Sequence, residues 1–190
     1  MSKLIIDVVK LWIPTLPVTI KKIKIPKNGK YPALYEWLNT ADFNHSNKIK
    51  SGHYMQAFIL ELIINAPNTA IVIPLKYITI SNGESKEMDI LFQIGTVIYY
   101  REVKCNLNLD SEKMPATFNK IYQISEALSK IYTQKIDAGC LQPVWLTSEK
   151  NIEGFNNFIS ILGYDNLTIE EYSEIGNLLG KIIKTSLGQI

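Results

Sequence analysis

Three residues of this chain carry side chains that could do chemistry together: Asp89, Glu102 and Lys104. Glu102 and Lys104 are separated by one valine in the stretch YYREVKCN, so on a strand both point to the same face. If Gly95 and Thr96 form a two-residue hairpin loop, Ile94 faces Val97 and the same register sets Asp89 opposite Glu102. Facing residues of an antiparallel pair have Cβ atoms roughly 4.5 to 5.5 Å apart, and like charges in that position destabilise the sheet. A hard divalent cation would compensate two such carboxylates. Mg2+ prefers oxygen ligands and commonly uses one or two carboxylates, its remaining positions taken by water and phosphate oxygens. A cation there would polarise a phosphodiester and acidify a water, while Lys104 would orient that water or stabilise developing charge. The duller reading is an exposed strand pair carrying a cross-strand salt bridge between Lys104 and Glu87, which the same register also sets face to face.

The surrounding elements must position these groups. SGHYMQAFILELIINA has the spacing of a helix, with Tyr54, Phe58, Glu61, Leu62 and Asn65 recurring, Ser51 as N-cap and Pro67 as terminator. TAIVIPLKYITI, β-branched and apolar, predicts one strand with a bulge or edge at Pro74, and SNGESKE a polar turn. MDILFQI and VIYYREVKC predict the hairpin. A loop, NLNLDSEKMP, leads to a helix running to about Gln134 with Ile121, Ile124, Leu128 and Ile131 on its apolar face. CLQPVWLTS predicts a further strand, and helices follow over 152–162 and 169–184, the second capped by Thr168. The class is therefore α/β, a mixed central β-sheet flanked by helices in the order α-β-β-β-α-β. Residues 1–50, broken by prolines, are expected as an elaboration packed on a core of 51–148, with 149–190 a helical segment of the same domain.

With those elements in place, Asp89 followed by Glu102-Val103-Lys104 resembles the PD-(D/E)XK nucleases, the superfamily of most type II restriction endonucleases. The resemblance spans about Ser51 to Ser148. It implies that Asp89 and Glu102 hold Mg2+, that Lys104 assists the attacking water, and that Glu61 on the first core helix is the candidate to complete the site. Met88 stands where the family's nominal Pro precedes the Asp, and Glu87 could supplement Asp89. The implied activity is hydrolysis of double-stranded DNA, by a homodimer or by the cleavage subunit of a heterodimer whose larger partner reads the sequence. Rival readings are a junction resolvase or repair nuclease, and a non-catalytic DNA-binding or interaction subunit that keeps the fold.

Beyond the site, Asn106, Lys113 and Lys120 lie where a helix start and lysines would meet phosphates, and His53 could reach one. A solvated loop and an exposed helix-start histidine are the plainer alternatives. The basic run KKIKIPKNGK could track a phosphate backbone or simply face solvent. Tyr99 and Tyr100 read as packing residues, Cys105 and Cys140 as small buried hydrophobes. The totals set loose bounds: 190 residues, 46% hydrophobic and 20% charged, suit one domain with a substantial core. A net charge of +2 neither demands nor excludes nucleic acid, and two cysteines build no disulfide framework and no zinc spacing. The N-terminal apolar run is broken by Asp7, Lys10 and two prolines, so neither a membrane span nor a signal peptide is expected and the cytoplasm is the simplest location.

Overall fold

The computed structural model describes residues 5, 8, 45–104, 113–141, 149–172, 174–176 and 179. Helix α1 (His45–Ile64) buries Met55, Phe58, Ile59, Leu62 and Ile63, an i, i+3, i+4, i+7, i+8 stripe. Each such side chain removed from water stabilises the fold by about 1.5–3 kcal/mol. The helix begins at His45, so Ser51 lies inside it and is not the cap that was expected.

The next apolar stretch does not form one strand. It divides into β1 (Ala70–Val72) and β2 (Tyr77–Thr79) on either side of Pro74. Pro74 has no N–H to give to a ladder, and a tight turn with Leu75 N–H donating to the Ile73 carbonyl at 2.8 Å redirects the chain. β2 then pairs with β3 (Ser85–Glu87), so the segment expected as a plain polar turn carries a strand of its own. The turn between them holds Gly83 at φ 85°, the left-handed conformation that glycine adopts without a steric penalty.

β4 (Ile90–Ile94) and β5 (Val97–Val103) form the expected hairpin, Ile94 paired with Val97. Gly95 at φ 55° occupies the first turn position, as a two-residue primed turn requires. Helix α2 (Lys113–Ile131) follows, then β6 (Lys135–Leu141) and helix α3 (Glu149–Ile161). β6 begins earlier in the chain than predicted and shares Cys140 and Leu141 with the expected strand, whose residues 142–148 fall outside the described set. Ile131 is exposed rather than buried, because α2 ends there and not at Gln134.

The four-stranded sheet has the order β1-β4-β5-β6, antiparallel except for the β5–β6 pair. Parallel neighbours need a crossover, and α2 supplies it. One sheet face (Phe92, Val103, Leu141) packs on α1, α3 and the residues around Tyr164 and Tyr172. The other face (Leu91, Ile98, Tyr100) packs on Ile121, Ile124, Ala127 and Leu128 of α2 and on Ile78 of β2. Ile5 and Val8 are buried in the first of these cores. Thr168 is the predicted cap: its Oγ1 accepts from Glu171 N–H at 3.2 Å while Glu171 Oε2 accepts from Thr168 N–H at 2.8 Å. No helix among the described residues is long and apolar enough to cross a membrane.

Candidate functional site

Alternation along β5 assigns Ile98, Tyr100 and Glu102 to the α2 face, with Lys104 just beyond the strand end. The β4–β5 register, continued one step past the Ile90–Arg101 pair, sets Asp89 beside Glu102. Asp89 precedes β4, and its Oδ2 accepts the Val103 N–H at 2.8 Å. That bond closes the open end of the hairpin and fixes the carboxylate against β5.

Glu102 is 1% exposed and yet carries a charge, so its partners decide whether the arrangement is tolerable. Oε1 accepts from Lys104 Nζ at 2.6 Å and from Lys120 Nζ at 2.9 Å. Oε2 accepts from Lys120 Nζ at 2.7 Å and from Tyr100 Oη at 2.5 Å. These four hydrogen bonds match the roughly four lone-pair sites of a carboxylate. Asp89 and Glu102 together carry two negative charges, and Lys104 and Lys120 return two positive ones.

The titration behaviour follows from this balance. Burial would raise the pKa of Glu102, but the hydrogen bonds from Lys104, Lys120 and Tyr100 outweigh it and hold the carboxyl below its ordinary value. Asp89 moves the other way: burial and the neighbouring Glu102 charge raise it, and the Val103 N–H and the two lysines offset only part. Neighbouring carboxylates whose pKa values are driven apart are common at sites of chemistry. Burial opposes the charge on Lys104, and the Glu102 carboxylate overrides it and raises its pKa. Burial and the Glu102 charge also hold the Tyr100 hydroxyl in its protonated, donating form far above the usual range. Cys140, opposite Glu102 across the parallel pair, has its thiol pushed up to about 11, chiefly by burial.

Asp89 also lines a cleft of about 430 Å³ whose walls include His53, Gln56 and Leu60 of α1, Lys76, and Met88. The structure thus brings His53 and Asp89 to one depression. Glu61 is not gathered in. Its Oε2 accepts from Asn65 Nδ2 at 3.2 Å, and among the described residues it makes no hydrogen bond or ion pair with Asp89, Glu102 or Lys104. Glu87 does not face Lys104 either: it belongs to β3, pairs in register with Tyr77 and forms an ion pair with Lys76 at 3.1 Å. The cross-strand Lys104–Glu87 bridge is therefore absent, and Lys104 pairs with Glu102 instead. Asn106 and the side chain of Lys113 lie outside the described residues, as does Cys105.

Two participants escaped the sequence reading. Lys120, expected at a phosphate, is bonded to Glu102, and Tyr100, expected as packing, donates to it. Tyr100 could have been inferred, since it shares a strand face with Glu102 two residues away. Lys120 could not, because its placement depends on how α2 lies across the sheet.

No group of three or more His, Cys, Asp and Glu residues among the described residues is disposed to hold a metal ion. Asp89 and Glu102 are two neighbouring carboxylates, the number with which Mg2+ is often held while it keeps waters. Asp89 Oδ1 accepts no hydrogen bond from a described residue, whereas Glu102 can turn an oxygen to a cation only if an ammonium withdraws. The pair fits on that condition. Comparisons of the chain with family models, with curated proteins and with solved structures give no match.

Proposed function

We propose that the chain is a Mg2+-dependent endodeoxyribonuclease of the PD-(D/E)XK, type II restriction endonuclease kind, hydrolysing phosphodiester bonds of double-stranded DNA. The observation that carries the reading is the convergence of Asp89, Glu102 and Lys104 at one end of the β4–β5 hairpin, with Lys104 Nζ 2.6 Å from Glu102. The order of helix, three sheet strands, helix and strand supports it, with the β2–β3 hairpin as an insertion.

Bound Mg2+ would polarise the scissile phosphate and lower the pKa of a water. Asp89 and Glu102 would hold it, Asp89 kept in place by the Val103 N–H. Lys104, charged and next to Glu102, orients the attacking water or meets charge developing on phosphorus. The cleft beside Asp89, with His53 and Lys76 on its walls, is open to a neighbouring part of the nucleic acid. Cutting both strands needs two sites, so a homodimer or a heterodimer with a sequence-reading subunit completes the enzyme.

One observation favours a second reading. A carboxylate with all its lone pairs engaged by two lysines and a tyrosine is also what a purely structural buried network looks like. Incubating the protein with linear duplex and with four-way-junction DNA in millimolar Mg2+ separates the possibilities. Discrete products from linear duplex support the restriction-type reading, and products from the junction alone support a resolvase. Intact DNA in both, from folded protein that still binds DNA in Ca2+, points to a missing partner subunit, and intact DNA from folded protein that binds neither metal nor DNA leaves the structural network.

A further inference from the structure

Lys120 makes two contacts with Glu102 where Lys104 makes one. Its ammonium bridges both carboxylate oxygens, at 2.9 and 2.7 Å, which is the bidentate position from which a cation grips a carboxylate. It also reaches Glu102 from farther along the chain than Lys104 does. Lys104 reaches Glu102 from two residues along the same chain, and its backbone N–H is tied to the Leu141 carbonyl at 2.9 Å. Lys120 comes from a different element, α2, on a long unbranched side chain that is 27% exposed, against 32% for Lys104, so either ammonium has water to retreat into and it is the two-oxygen grip that singles out Lys120.

We infer that Lys120 is a displaceable counter-ion: its ammonium stands in the position a divalent cation takes on Glu102, and the cation binds by expelling it. The inference rests on the nuclease reading, and it goes further by giving this lysine a part in metal affinity distinct from that of Lys104. Physically it is a competition between like charges. An ammonium that bridges both oxygens of the carboxylate and a divalent ion cannot occupy the same place on it, and at such separations their repulsion inside a protein is large, whereas Lys104 touches one oxygen only. Removing the ammonium therefore removes both the incumbent and the repulsion. Once expelled, Lys120 is a cation beside the site, available to a phosphate.

The test is binding of Mn2+ alone, followed by electron paramagnetic resonance of the unbound ion. It compares the full-length wild type with Lys120→Gln, Lys120→Met, Lys104→Gln and Glu102→Gln. Lys120→Gln keeps an N–H donor toward Glu102, so it preserves the fold even if Lys120→Met does not, and circular dichroism checks both. The expected result is Mn2+ affinity raised roughly tenfold or more in the Lys120 variants, by clearly less in Lys104→Gln, and lost in Glu102→Gln. Wild-type affinity, or weaker, in folded Lys120→Gln overturns the counter-ion role while leaving the metal site standing, and so does an equal gain in Lys104→Gln. If no protein in the set binds Mn2+ at millimolar concentration, the metal site itself fails and the inference falls with it.

Discussion

Replacing Glu102 with Gln keeps the shape of a side chain that is 1% exposed and removes its charge. The amide can accept hydrogen bonds at one oxygen only, and its NH2 group then faces either the Tyr100 hydroxyl, which can turn to accept, or a lysine, which can only donate. Two ammoniums lose their shared counter-ion. Breaking a buried ion pair from one side costs about 3–5 kcal/mol. Lys104 and Lys120 retain side-chain exposures of 32% and 27%, so part of that is recovered by rehydration, and the expected loss is about 2–3 kcal/mol at pH 7. A domain of ordinary stability survives it.

The effect should depend on pH with a definite sign. The folded-state pKa of Glu102 lies below the ordinary 4.5. Its contribution is thus fully present above that value and is lost as the pH falls through the folded-state pKa, where the wild type carries a neutral carboxyl much like the glutamine. Urea unfolding of both proteins at pH 7, 5 and 4 and below measures this. The gap between their midpoints should be widest at pH 7, nearly unchanged at pH 5, and narrow below pH 4 as far as both remain folded. A variant as stable as the wild type at pH 7, or a gap that persists unchanged into acid, would refute the reasoning about the network.

Further perturbations test neighbouring parts of the account. Tyr100→Phe removes one donor from Glu102 in a fully buried setting and should cost about 1.5–3 kcal/mol in urea unfolding, the range for a hydrogen bond to a charged group. The same substitution should show a raised Glu102 pKa by carboxylate NMR. Gly163 ends α3 at φ 89°, and a Cβ there would come within 2.8 Å of Asn68 Oδ1 and 3.0 Å of Asn68 backbone N. Gly163→Ala is therefore expected to lower stability by more than about 1 kcal/mol, whereas Gly83→Ala, with open space around it, should lose only the backbone penalty of roughly 1 kcal/mol; thermal melts of the pair would compare them.

The part of the site that local rules determine was legible before the structure. A two-residue loop at Gly95–Thr96 fixes its own register, so the Ile94–Val97 pairing and the approach of Asp89 to Glu102 follow from counting. Counting fails where the strand stops. Beyond Met88 the chain leaves the hairpin and pairs back onto Tyr77–Thr79, which carries Glu87 to Lys76. The signal was present, since Asn82-Gly83 between alternating residues is a hairpin mark in its own right. The early start of β6 was missed because KIDAGCL is poor in β-branched residues and is held in place by parallel pairing with β5 rather than by propensity. Lys120 belongs to the same class of long-range facts: only the α2 crossover between β5 and β6 carries it over Glu102.

One gel shows whether these carboxylates cut DNA. Supercoiled plasmid is incubated with the wild type, Asp89→Asn and Glu102→Gln, each with Mg2+ and with EDTA, and nicked and linear products are counted. Asp89→Asn keeps an acceptor for the Val103 N–H, so its loss of activity would report the missing charge and not a disordered hairpin. Cleavage by the wild type is expected in Mg2+ and none in EDTA, with a loss of at least roughly a hundredfold in each variant. Plasmid left intact by folded wild-type protein that binds neither Mg2+ nor DNA, or plasmid cut equally well by Asp89→Asn and Glu102→Gln, would contradict the nuclease reading.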